Sequence, residues 1–172
     1  MEKIHNLPTE WDLTQFYADE AAFMEQMKRF EELIPVTETY RGKLGSAEGI
    51  LKYLEDPAMM EKQTIADRAS MYAEALHAKN AADPAAQRVL ARLSEVLTKE
   101  GIGSSFVDAE IMALPFDVRT EIFSRPELLP YAYACRKYTD PKTVVLNEQA
   151  KKTENLFADA VDQSAKTHDI FD

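Results

Sequence analysis

At 172 residues the chain is long enough for one domain, or a pair of small ones, with a real hydrophobic core. Its 45% hydrophobic and 29% charged residues describe a globular protein, not a disordered one. The formal net charge is −10 and both halves of the chain are acidic. No clustered basic stripe is present for nucleic acid or for an anionic membrane surface.

A single cysteine, Cys135, cannot form an internal disulfide, and no cationic-then-apolar signal segment follows Met1. No stretch approaches the roughly 20 apolar residues of a membrane span. These features predict a cytoplasmic protein without a membrane partner. Only 5 glycines are present, and the helix formers Ala, Leu, Glu, Lys and Met abound, which favours an all-α fold.

In chain order, Phe23, Met27, Phe30 and Ile34 form the first apolar stripe at helical spacing, which Pro35 is expected to end or kink. The turn Gly42-Lys43-Leu44-Gly45-Ser46 follows. Asp56-Pro57 opens a second long helix, with an acceptor at the N-cap and proline where no amide hydrogen is needed. Its stripe is Ile65, Ala69, Tyr72 and Leu76. Asp83-Pro84 opens a third, with Ala86, Val89/Leu90, Leu93 and Val96/Leu97 on one face. Gly101-Ile102-Gly103-Ser104-Ser105 reads as a turn. Pro115, Pro126 and Pro130 then cut the chain into shorter helices.

A last long helix is predicted from about Leu146, with Leu156/Phe157, Ala160/Val161 and Ser164 along one side. Nowhere does period-two alternation point to strands. The expected architecture is a bundle of long antiparallel amphipathic helices over residues 1–115. Shorter Pro-punctuated helices and a long C-terminal helix then occupy 116–172, either as a second part or continuous with the first.

Chemistry-bearing constellations are few. His5, His77, His168 and Cys135 lie far apart, whereas a zinc site needs about three such ligands on a rigid element. Glu74-x-x-His77 is half of a di-iron helix motif, and its other match, Glu2-x-x-His5, precedes a Leu7-Pro8 break, so a chance pairing is favoured. His168-Asp169 leaves little chain for a further aspartate ligand. Gly101-x-Gly103 and Gly42-x-x-Gly45 lack the rest of a nucleotide fingerprint and read as turn glycines. Ser104-Ser105 has no nearby histidine to activate a nucleophile. Glu31-Glu32 is expected to face solvent, and Cys135 to pack as a small apolar group. No catalytic, cofactor-binding or metal-ligating residue is assigned.

Several segments in order resemble the N-terminal domain of the oligoendopeptidase F branch of the thimet-type zinc metallopeptidases. They are Trp11-Asp12-Leu13-Thr14, Tyr40-Arg41-Gly42-Lys43-Leu44, Asp83-Pro84-Ala85-Ala86-Gln87 with Leu90, and Ser105-Phe106-Val107-Asp108-Ala109-Glu110-Ile111 with Leu114-Pro115. Arg136 and Glu154 sit where that family tends to place an arginine and a helix glutamate. After the arginine the chain departs from the family's His-x-Leu helix entry, carrying Asp140-Pro141-Lys142-Thr143 instead.

The resemblance implies a parent enzyme that binds zinc through His-Glu-x-x-His and a downstream glutamate in a separate C-terminal catalytic domain. None of those residues is in this sequence, so the segment alone is expected to bind zinc weakly and cleave no peptide. It implies a helical wall of a cleft that admits oligopeptides, with the catalytic domain of the same chain as partner. The alternative is a free-standing helical interaction module. Phe157 and the pair Ile170-Phe171 further suggest that the last helix packs against something beyond the segment, or self-associates in its absence.

Overall fold

Each of the first four helices opens on a side-chain cap, and these caps set the element boundaries. In the computed structural model, which describes residues 12–143 and 148–168 with the side chains of 159–168 excepted, α1 spans Glu20–Glu38 and Asp19 Oδ1 accepts the amide of Ala22 at 2.8 Å. Ser46 Oγ accepts from Gly49 at 3.2 Å to start α2, Ala47–Leu54. Asp56 and Asp83 cap α3 (Pro57–Lys79) and α4 (Pro84–Gly103), each with proline in the first turn. Their carboxylates accept from Ala58 at 2.7 Å and Ala85 at 2.9 Å. Such a cap is worth about 1 kcal/mol to its helix.

Shorter helices follow: α5 (Ser105–Met112), α6 (Phe116–Phe123) and α7 (Ala132–Thr139), with a 3-10 turn at Pro126–Tyr131 before α7. A second 3-10 turn at Leu13–Gln15 precedes α1, and α8 (Glu148–His168) closes the chain. No strand occurs among the described residues, so the fold is all-α. No helix among them is long and apolar enough to cross a membrane.

The long helices form an up-down-up trio. The four residues between α3 and α4 make those two antiparallel neighbours. Along α1 the partners in α3 run backwards, from Tyr72 beside Phe23 to Met59 beside Thr37. Those in α4 run forwards, from Arg88 on Glu20 to Lys99 on Glu31. The long helices are therefore not all mutually antiparallel: α1 and α4 are parallel, and α3 opposes both.

Their stripes interlock as expected. Phe23, Met27, Phe30, Ile65, Ala69, Tyr72, Val89, Leu93 and Val96 make one buried cluster. Tyr17, Phe23 and Tyr72 meet edge-on or tilted at 5.0–5.7 Å between ring centroids. A fully buried phenylalanine such as Phe23 or Phe30 contributes roughly 1.5–3 kcal/mol.

Pro35 does not end α1, which runs on to Glu38. Pro35 is exposed to solvent and leaves the helix without one amide donor. A second cluster gathers Ile50, Phe106, Ile111, Ile122, Phe123, Cys135 and Tyr138 from α2, α5, α6 and α7, with Leu44 from the turn before α2 and Leu128 from the 3-10 turn before α7. Phe123 and Tyr138 stack at 5.2 Å. No α8 residue belongs to either cluster among the described side chains.

Candidate functional site

Among the described residues the soft ligands stay apart. Glu74 and His77 are both exposed on α3, and no group of three or more His, Cys, Asp or Glu that could hold a metal occurs among the described residues. His5 and Asp169 lie outside the described residues, as do Leu146 and the Ile170-Phe171 pair. His168 is the last residue of α8. Cys135 is buried in the second core, and burial pushes its thiol above the ordinary range, which suits packing and not nucleophilic attack. The Ser104 and Ser105 hydroxyls donate to the carbonyls of Glu100 at 2.9 Å and Ile102 at 2.8 Å. They complete a helix junction and are not poised as nucleophiles.

Two sequence expectations are corrected here. Gly101 and Gly103 are not turn glycines: α4 continues through both, and only Ser104 separates it from α5. Their lack of a side chain serves close approach. A Cβ on Gly101 would sit 2.7 Å from the Asn155 amide nitrogen of α8, and one on Gly103 would sit 3.0 Å from Ile34. Glu31 does not simply face solvent: it bridges α1 to α4 through Arg92 at 2.5 Å and Lys99 at 2.6 Å. These cations hold its carboxyl below the usual range. Glu32 is exposed as expected.

The most organised polar site lies where the chain leaves α1. Gly42 is the one described residue with positive φ, at 77°, a conformation glycine adopts without penalty. The turn it makes presents two amides toward α5. Glu110 accepts both, from Gly42 at 2.8 Å and from Leu44 at 2.7 Å. One turn earlier on the same helix face, the Phe106 ring lies 4.1 Å beneath the Arg41 guanidinium. Arg41 also forks onto Glu148 of α8 at 3.0 and 3.1 Å, and pairs with Glu38. Arg41 and Lys152 together hold the Glu148 carboxyl down at about 2. Tyr40 donates its hydroxyl to Asp56, the cap of α3, which pushes the phenol up to about 12.

Two buried charges flank this junction. Lys62, 6% exposed, donates to Thr37 Oγ1 at 2.5 Å and to Glu100 Oε1 at 2.7 Å, tying together α3, α1 and α4. Burial raises the Glu100 carboxyl against the opposing pull of Lys62. Asp108 on α5 accepts from the Tyr138 hydroxyl at 2.6 Å and pairs with Lys137 at 2.7 Å and Lys151 at 2.8 Å. Burial alone would raise Asp108, but these three donors outweigh it and bring it to about 2. Between the two sites, burial pushes Tyr53 up to about 12, reinforced by the charges of Glu100 and Asp108.

Neither charge is singled out by motif reasoning. The signal was positional, since Lys62 falls on the core stripe between Met59 and Ile65, where a lysine must find buried partners. These groups pair with one another, except that the second Glu100 oxygen, Oε2, is buried without a hydrogen-bond partner. What the arrangement does chemically is fix helix against helix. Comparison of the chain with protein-family models, with curated proteins and with solved structures gives no match in any of the three.

Proposed function

We propose that the chain is the N-terminal, non-catalytic domain of a cytosolic zinc metallo-oligopeptidase of the oligoendopeptidase F type, forming one wall of its peptide cleft. Zinc and hydrolysis belong to a separate catalytic domain of that parent, and oligopeptides are its substrates. One observation carries the reading. Two of the segments that resemble the family, Tyr40–Leu44 and Ser105–Ile111, are 66 residues apart at their Leu44–Glu110 hydrogen bond, yet dock as one unit. Through Glu110, Arg41 and Phe106 they act on helix placement and not on chemistry. That is the role expected of a domain whose contribution to catalysis is steric.

The test is made on the protein encoded by the complete reading frame. A His-Glu-x-x-His sequence downstream of Asp172, bound zinc, and chelator-sensitive cleavage of internally quenched oligopeptides but not of folded proteins are expected. The 172-residue chain alone should cleave neither. A reading frame with no such motif, or a full-length product without zinc-dependent peptidase activity, leaves the free-standing interaction module as the reading.

A further inference from the structure

Arg119 is a buried cation with no carboxylate partner among the described residues. It is 8% exposed on the inward face of α6, one turn before Ile122 and Phe123 of the second core. Lys62, buried to a similar degree, is neutralised by Glu100. Arg119 instead meets the Met112 sulfur through Nη1, and its guanidinium carbon lies 5.5 Å from the centre of the Phe116 ring. Its Nε is buried without any acceptor. A long cationic side chain normally buries its stem and keeps its head in water. Here part of the head is buried too, at a cost that an incoming anion would offset.

The guanidinium lies at the N-terminal end of its helix. Arginine on a helix reaches back over the turn before its own Cα. The contacts with Phe116, the first residue of α6, and with Met112 before it show Arg119 doing so. Pro115 holds the N-cap position and gives no side-chain cap. The amides of Phe116, Asp117 and Val118 therefore have no acceptor among the described residues. Pro115, Phe116 and Asp117 are exposed, so this helix end opens to solvent. Asp117 does not supply the missing charge, because residues two apart on a helix do not face each other.

We propose that Arg119 and the start of α6 form a binding site for a single carboxylate group. The Nε–Nη2 edge of a guanidinium presents two parallel donors that match the two oxygens of a carboxylate. On Arg119 neither nitrogen of that edge has an acceptor among the described residues, while Nη1 is engaged. The uncapped helix end adds partial positive charge beside it. One cation in a chain of net charge −10 suits a monoanion better than a phosphate. The Met112 thioether and the Phe116 ring give the site apolar walls. The ligand is thus an organic acid with an apolar group next to its carboxylate. A free small acid and the C-terminus of a peptide both present that chemistry, and neither requires a peptidase parent.

The test titrates the 172-residue chain at constant ionic strength, so that screening does not change. N-acetylphenylalanine stands for a free acid and N-acetyl-alanyl-phenylalanine for a peptide C-terminus, with N-acetylphenylalanine amide as the uncharged control. The Arg119 Nε–H signal in NMR spectra is the readout. A saturable shift with either acid is expected, with a dissociation constant in the millimolar range and the amide at least about tenfold weaker. Tighter binding of the dipeptide identifies a peptide terminus as the source, and equal binding a free acid. Arg119→Met exchanges an unpaired buried cation for an apolar side chain, so it should keep wild-type helicity and lose the binding in calorimetry. Should that variant not fold, acid against amide on the wild-type chain decides. No saturable shift up to about 50 mM, an amide that binds as well as the acids, or undiminished binding by Arg119→Met overturns the proposal.

Discussion

Glu110 binds the turn at Gly42 from 68 residues away, its two carboxylate oxygens accepting the amides of Gly42 and Leu44. The geometry is that of a side chain standing in for backbone where a helix has ended and no helical carbonyl remains in reach. It joins the first core to the second, since α1 ends on one side of the turn and Leu44 is wholly buried in the second cluster on the other. Arg41, between α5 and α8, makes the same corner the anchor of the last helix.

Removing the carboxylate should therefore cost more than its modest exposure suggests. Glu110→Ala leaves two amides without protein acceptors and is expected to lower unfolding free energy by about 2–3 kcal/mol. Glu110→Gln keeps one acceptor and should lose about half of that. Gly42→Ala is a control for the backbone: a Cβ there meets nothing within 4 Å, so the expected loss of about 1 kcal/mol comes from φ alone. Urea midpoints of the three variants decide it. A Glu110→Ala protein as stable as wild type would show that water replaces the carboxylate without cost.

Acid should unfasten α5 from α7 and α8. Asp108 falls from 3.8 to about 2 in the folded state, so its ionised form stabilises the fold above about pH 4, and that contribution is lost as pH falls toward 2. The size is about 2 kcal/mol for a shift of this extent. Stability measured by urea unfolding from pH 5 to pH 2 should therefore fall less steeply in Asp108→Asn than in wild type. Parallel curves would mean that the carboxylate is not held by Lys137, Lys151 and Tyr138.

The opposite sign applies at Lys62. Lys62→Met strands Glu100 as a buried carboxylate without its cation, with an expected loss of about 3–5 kcal/mol at neutral pH. Burial already raises Glu100, and without Lys62 it rises further, so this variant should regain stability as the pH falls and acid protonates it. Adding Glu100→Met removes the stranded charge and should restore much of the loss. If the double variant is no better than Lys62→Met, the lysine stabilises through packing on Thr37 and not through the pair.

How far the sequence reveals these features depends on what kind of force makes them. The stripes through Phe23, Ile65 and Val89, and the Asp-Pro caps at 56 and 83, are local and periodic, and each appears where the pattern puts it. The parallel run of α1 and α4 is not local, since it depends on α2 carrying the chain across between α1 and α3. The seating of α8 escapes for a similar reason. Its stripe is plain in the sequence, and periodicity makes Phe157 a candidate for burial, but only the ion pairs from Arg41 and Asp108 decide which face turns inward. Of the polar junction, Gly42 is visible in the sequence as a turn glycine, whereas the hydrogen bonds of that turn to Glu110 belong to the fold.

Gly101 shows the same limit at a single residue, and it supports a coupled prediction. In isolation Gly101→Ala should help α4, because alanine is preferred over glycine in a helix interior by about 1 kcal/mol. Here the new Cβ would lie 2.7 Å from the Asn155 amide nitrogen, so α8 or the Asn155 side chain must give way. That nitrogen is buried without a hydrogen-bond partner, which makes Asn155 itself a poor fit to the interface. Gly101→Ala alone is therefore expected to destabilise by about 1–2 kcal/mol through overpacking. Asn155→Ala alone should be near neutral, since it removes an unpaired amide along with some packing. The double variant should then be at least as stable as wild type, because the Cβ finds room and the helix propensity of alanine is recovered. The coupling, expected at about 1–2 kcal/mol in a double-mutant cycle of thermal or urea unfolding, is the quantity that measures α8 seated on α4. Strict additivity of the two substitutions would mean that in solution α8 does not sit against Gly101.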